Sequence, residues 1–142
     1  MFGFKKKAAA VKVELKKVEN RNLMEAIVGG CLLVAAADGA IEKEETAKLD
    51  QLLRSNPRLG HYGNEITSLI TRFTEQLEAG FRVGRMNILR EVEEIKNDPK
   101  EAEEVFVNML TIAEADGEIE PEEQKVLEEV GRRLGLRVED YI

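Results

Sequence analysis

Sliding the sequence along itself by 78 positions aligns two segments closely enough to restrict the fold severely. Ala35, Ala37, Asp38, Gly39, Ile41, Glu42, Glu44, Glu45 and Leu49 match Ala113, Ala115, Asp116, Gly117, Ile119, Glu120, Glu122, Glu123 and Leu127, nine identities in fifteen positions. Each copy reads as an apolar helix, an Asp-Gly turn, an isoleucine plug and the acidic start of a second helix. Two copies predict two αα-hairpins, repeat one over about 22–55 and repeat two over about 100–135.

The rest of the chain carries the same period. No window alternates with a period of two for long, whereas spacings of three and four recur throughout. Val11, Leu15 and Val18 share one face of a lysine-rich first helix over 5–19. Residues Leu23 to Val34 are apolar almost all round, which predicts a central buried helix capped by Asn20 or Asn22. Leu49, Leu52 and Leu53 face inward on the next helix, and Ile66, Leu69, Ile70, Phe73 and Leu77 stripe a fourth. Val83, Met86, Leu89 or Arg90, Val92 and Ile95 mark a fifth. Val105, Phe106, Val107, Met109, Leu110 and Ile112 mark a second greasy helix, and Val126, Leu127, Val130 and Leu134 a last one closed by Gly135. The expected fold is all-α, a single-domain bundle of about seven helices over residues 1–142 built on the two repeated hairpins. A chain of this length buries roughly 70% of its unfolded surface and needs neither disulfide nor metal to fold.

Composition removes several classes of function. Cys31 is the single cysteine, so no intrachain disulfide exists and the chain reads as cytosolic. One histidine cannot build a multi-histidine metal site, and neither a nucleophile elbow nor a phosphate-cradling glycine loop occurs. The longest uncharged run, Ala26–Ala37, falls short of the roughly 20 residues a bilayer span requires. Lys12, Glu14, Lys16 and Lys17 interrupt any signal-peptide core. The net charge of −7 argues against a surface devoted to nucleic acid. That charge is unevenly spread, from +5 over residues 1–21 to −8 over residues 99–142: a basic arm on an acidic body.

Each Asp-Gly turn contains half of a calcium-loop pattern. Asp38, Gly39, Ile41 and Glu45, and likewise Asp116, Gly117, Ile119 and Glu123, supply the acid, the glycine, the aliphatic residue and the closing glutamate. Glu42 and Glu120 fall on the ninth loop position. The first and third ligand positions hold Val34 and Ala36, or Ile112 and Glu114, so these are not EF-hands and an ion here needs oxygens from water or another helix. Two readings fit the acids. They ligate a hard divalent cation, or they are helix caps and capping boxes stabilised by the unpaired N–H groups of a first turn. Glutamate at a cap position, where Ser, Thr, Asp or Asn serves better, is the detail that capping alone leaves unexplained.

The paired Ala-Asp-Gly-x-Ile-Glu-x-Glu-Glu segments resemble those of the TerB tellurite-resistance family and its relatives, which include the N-terminal domain of the membrane-anchored DnaJ-like co-chaperone. The Phe2-Gly3-Phe4-Lys5 start, the basic first helix, the spacing between repeats and the ending from Arg133-Leu134-Gly135-Leu136 to Asp140-Tyr141 carry the resemblance along the chain. It implies a helical bundle with acids gathered on one face and a role in tellurite and chemical-stress resistance or phage defence. It also implies TerC-like membrane proteins and TerD-like proteins as partners at the inner face of the membrane. By matched position the candidate metal ligands are Asp38, Glu42, Glu45, Asp116, Glu120 and Glu123. Repeat one has Ala36 and Ala40 where repeat two has Glu114 and Glu118, which predicts a weaker first site. No catalytic activity follows from the resemblance.

Other residues carry less. Cys31 sits in the apolar helix as a core thiol, and His61 is a turn histidine in a glycine-bracketed loop. Phe2, Phe4, Lys5, Lys6 and Lys7 have the composition of a peripheral contact with anionic lipid. The acids between Glu91 and Glu104 read as solvated surface, or as a docking face for a basic partner or for this chain's own N-terminal arm. The leading expectation is a non-enzymatic module that binds calcium, magnesium or manganese through carboxylates, since oxygen-only ligands disfavour zinc and copper. The alternative is a metal-free helical adaptor whose acidic face docks a basic protein partner. An enzyme ranks third, resting on paired carboxylates alone.

Overall fold

A computed structural model describes residues 17–142. Among them are six α-helices and no strand: α1 (Arg21–Ala35), α2 (Lys43–Arg54), α3 (Asn64–Ala79), α4 (Phe81–Glu93), α5 (Pro99–Glu114) and α6 (Pro121–Leu134). Short 3₁₀ turns occupy Gly60–Tyr62 and Val138–Asp140. Residues 1–16 lie outside the described residues, and with them residues 5–16 of the basic helix expected over 5–19. Residues 17–20 are described and are not helical. Val18 is buried there, and its N–H donates to the Arg58 carbonyl at 2.9 Å.

The central helix forms where its pattern predicts. The Asn20 side chain caps α1, accepting from the N–H groups of Asn22 and Leu23 at 3.0 and 3.4 Å. Beyond that cap α1 is buried on every face from Met24 to Val34 except at Glu25, and it touches each of the other five helices. Burial of each large apolar side chain contributes about 1.5–3 kcal/mol, so α1 is the element that joins the rest. Asp98 caps α5 in the same way as Asn20 caps α1, with Pro99 at the first helical position, and Gly135 ends α6 at a left-handed φ of 77°. Among the described residues no helix is long and apolar enough to cross a membrane.

Inward stripes mostly follow the sequence. All five apolar residues expected to face inward on α3 are buried. On α4 the stripe holds at its end and fails at its start: Leu89, Val92 and, just past the helix, Ile95 are buried as expected, whereas Val83 and Met86 are exposed and Gly84 and Ile88 face inward. Gly84 marks a close approach. A Cβ built there would lie 2.6–2.7 Å from the backbone of Gln76 and Leu77, so α3 and α4 touch main chain to main chain at that point. Leu52 on α2 and Val107 on α5, both expected inward, are about two-fifths exposed, because α1 is already covered by their neighbours Leu49, Leu53, Phe106 and Met109.

Gly84→Ala tests the close approach. The added methyl group meets backbone that cannot rotate away, so overpacking of about 1–3 kcal/mol should exceed the roughly 1 kcal/mol that alanine gains in helix propensity. Thermal melting should show Tm lowered by several degrees. An unchanged or raised Tm would mean the two helices separate at little cost.

Candidate cation site

Both Asp-Gly turns are made in the same way. Gly39 and Gly117 have φ of +84° and +114°, a region that an L side chain rarely enters, and neither position is crowded. Their glycines are therefore required by conformation rather than by space. The Gly39 N–H reaches the Ala36 carbonyl at 2.9 Å, and the Gly117 N–H reaches that of Glu114 at 3.0 Å. In the first turn Asp38 Oδ1 also accepts the Ala40 N–H at 3.0 Å. Ile41 and Ile119 then pack against the core and fix where each following helix begins.

The two helix starts differ. In the second, the Glu120 N–H donates to Glu123 Oε1 at 2.9 Å, and Glu120 and Glu123 form a reciprocal capping box. In the first, the Glu42 side chain makes no cap bond, and no bond joins Glu42 to Glu45 among the described residues. Glu123 is thus held by its own helix, whereas Glu45 is left to the groove.

The turns meet. Asp38 and Glu45 from repeat one, and Asp116, Glu120, Glu122 and Glu123 from repeat two, line one groove of about 190 Å³ over Val34, Ala35 and Ala37. At about 30 Å³ per water that is room for several solvent molecules. Glu42 opens instead onto a separate cleft between α2 and α3, beside Lys43, Thr46 and Glu75. Five of the six sequence-predicted ligands therefore share one space and Glu42 stands apart. Two further residues bear on this space. Glu122, matched to Glu44 in the repeat but not counted among the candidate ligands, lines the acidic end, and Lys48 reaches in from the adjoining part of α2 so that its Nζ pairs with Asp116 Oδ1. Among the described residues no three carboxylate, imidazole or thiol side chains close into a ready ligand set.

Electrostatics record the convergence. The Glu45 carboxyl is raised above its ordinary pKa first by partial burial, then by the charges of Glu42, Asp38, Asp116 and Glu123. Glu123 is also raised, again first by partial burial. The backbone bond to Glu120 opposes that rise, and the charges of Glu120, Asp116 and Asp38 add to it. Each turn thus feels the carboxylates of the other, although they lie 78 residues apart in sequence.

Elsewhere the expected candidates are committed to structure. Cys31 is fully buried, and burial pushes its thiol pKa upward, which disfavours the reactive thiolate. His61 is exposed and stacks on Tyr62 with ring centroids 4.3 Å apart. The acidic run before and within α5 is not simply solvated. Glu93 pairs with Arg133, Glu101 accepts from Asn20 at 2.8 Å, Glu103 accepts from Tyr141 at 2.7 Å, and Glu104 takes the Arg58 guanidinium.

A model of the family described as tellurite resistance protein TerB matches residues 24–142, a span that contains both turns and the whole groove. The chain belongs to the TerB family. Comparison with curated proteins and with solved structures gives no match. Family membership accords with the all-helical architecture, and the groove between its two turns is this TerB-family chain's candidate site.

A raised carboxyl pKa has a defined effect on stability. The folded state holds the Glu45 proton more tightly than the unfolded chain, so this unfavourable contribution is absent below about pH 4. It grows as pH rises from the unfolded value to the raised folded value, and is complete above it. Glu45→Gln should therefore melt higher than the parent at pH 7, with the gap closing as pH falls to about 3–4. A gap that persists at pH 3, or a lower Tm at pH 7, would refute the repulsion.

Proposed function

We propose that this TerB-family chain is a non-enzymatic module in tellurite and chemical-stress resistance or phage defence, and that it binds a hard divalent cation between its two Asp-Gly turns. The observation that carries this reading is that carboxylates from both turns open on one groove, where partial burial and charges from both turns raise the pKa of Glu45 and Glu123. Asp38, Glu45, Asp116, Glu120 and Glu123 are the ligand candidates that share that space, with Glu122 added and Glu42 as a neighbouring charge. An all-oxygen donor set suits calcium, magnesium or manganese. We read the two helix–turn–helix segments as duplicated hairpins. An ion between them removes their repulsion, draws the side chains into a ligand set and stiffens the junction. TerC-like membrane proteins and TerD-like proteins are the partners to which that state would be passed. Phe2, Phe4, Lys5, Lys6 and Lys7, outside the described residues, are the candidates for a contact at the inner face of the membrane.

A second reading has its own support. Lys48 already places an ammonium group on Asp116, so the groove accepts organic cations. On this reading the protein is a metal-free adaptor whose acidic face docks a basic partner.

Calorimetric titration of chelator-stripped protein with calcium, magnesium and manganese separates the two. An ion at a hundred times its dissociation constant should add about 2.7 kcal/mol, a Tm rise of several degrees. Combining Asp38→Asn with Asp116→Asn should abolish both the heat and the shift while leaving the helical fold intact. If all three ions leave heat and Tm unchanged at millimolar concentration, the cation reading fails and the adaptor stands.

A further inference from the structure

The acidic groove does not stop at the turns. It continues between α2 and α5 over Ala35, where Lys48, Leu49 and Leu52 face Ile112 and Ala115. Further down, Asn56 in the turn after α2 donates from Nδ2 to Asn108 Oδ1 on α5 at 3.3 Å. At the foot, Arg58 forks onto Glu104 through Nε and Nη2 at 2.5 and 2.7 Å. The Arg58 carbonyl is also the acceptor for the Val18 N–H. Val18 is therefore held at the foot of this groove, beside the Arg58–Glu104 pair.

We infer that the chain's own basic arm, residues 5–16, lies along the α2–α5 groove and acts as the counter-ion of the acidic head. Length, charge and apolar pattern agree on this occupant. From Glu104 to Ala115 is eleven residues of helix, about 16 Å at 1.5 Å per residue. Eleven residues back from residue 17 is Lys6, so even at the compact helical rise the arm brings Lys5, Lys6 and Lys7 level with Asp116. Residues 1–16 carry five lysines against Glu14, the complement of a head lined by Asp38, Glu45, Asp116 and Glu123. Val11 and Leu15, four residues apart, supply an apolar pair to set against the groove's exposed Leu52 (41%) and, on the adjoining shoulder of α5, Val107 (42%). The arm extends to the whole head what Lys48 does for Asp116, so any incoming cation has to compete with it. The inference needs no bound ion and holds for either reading of the head.

Paramagnetic NMR on the full chain tests it, in chelator so that the result is independent of ion binding. A nitroxide is attached through Leu52→Cys, and in a second sample through Val107→Cys. Cys31 is fully buried and does not take the label. The amide signals of residues 5–15 should lose most of their intensity with either label, and should keep it with a control label at Val83→Cys on α4. Reversing the charge of the arm with Lys5→Glu, Lys6→Glu and Lys7→Glu should restore the signals. So should 1 M salt, where screening acts within about 3 Å. Undiminished arm signals with both groove labels, or equal loss from the control, would overturn the docking. Loss that survives charge reversal would overturn the counter-ion role. Loss that appears only when labelled and unlabelled molecules are mixed would assign the groove to another copy's arm and overturn the intramolecular inference.

Discussion

Helix α1 has eleven of its fifteen residues buried and packs against all five other helices, so the remaining architecture is a set of answers to how one apolar cylinder is kept from water. Its small residues set the distances. A Cβ at Gly29 would press on Ile88 and Phe73, and one at Gly30 on Met109 and Val105, so α3, α4 and α5 all close in where α1 has no side chain. Once those helices are seated, both polypeptide segments leaving α1 and α5 emerge at the same end. The two Asp-Gly turns are therefore neighbours because the core is packed this way, and their acids are crowded as a consequence of apolar burial elsewhere.

That crowding is the cost the site carries. Like charges within one groove oppose folding, and the structure relieves them unequally. Repeat two satisfies Glu123 with a backbone N–H, and Asp116 has the ammonium group of Lys48, whereas Glu45 has neither. Lys48 and Asp116 are both well exposed, so the pair contributes at most about 1 kcal/mol and leaves most of the repulsion in place. Whatever occupies the groove, the repulsion that Lys48 leaves in place falls mainly on Glu45 and Glu123, the two carboxyls whose pKa is raised there.

The fold class was legible because helical periodicity survives everywhere except at a few positions, and those positions share a cause. The stripe on α3 is unbroken and reads correctly. The stripe on α4 misleads at its start, because Gly84 contributes a close backbone contact and no hydrophobic signal, so Val83 and Met86 take its place in any apolar count. Leu52 and Val107 mislead for the opposite reason: they are apolar residues on helices whose inner faces are already full. At the site, the repeat identified the acids of both turns. It could not reveal their convergence, which depends on how α1 and α5 pack, nor the different cap at each copy, which depends on side-chain rotamers. Lys48 went unnoticed because it aligns with Val126 in the second copy, and Glu122, though matched to Glu44 by the repeat, reads as one more acid in a first helical turn.

The placement of α1 also bears on how the protein is made. The helix precedes its partner Met109 by about 80 residues, and translation at 5–20 residues per second takes about 4–16 s to supply them. Helix formation itself is complete within microseconds. For seconds, then, the most apolar segment of the chain has only α2, α3 and α4 available to cover it, and the faces later taken by α5 and α6 have no partner. The C-terminal pair of helices, α5 and α6, thus supplies the missing wall of the core as well as the second Asp-Gly turn with its acids.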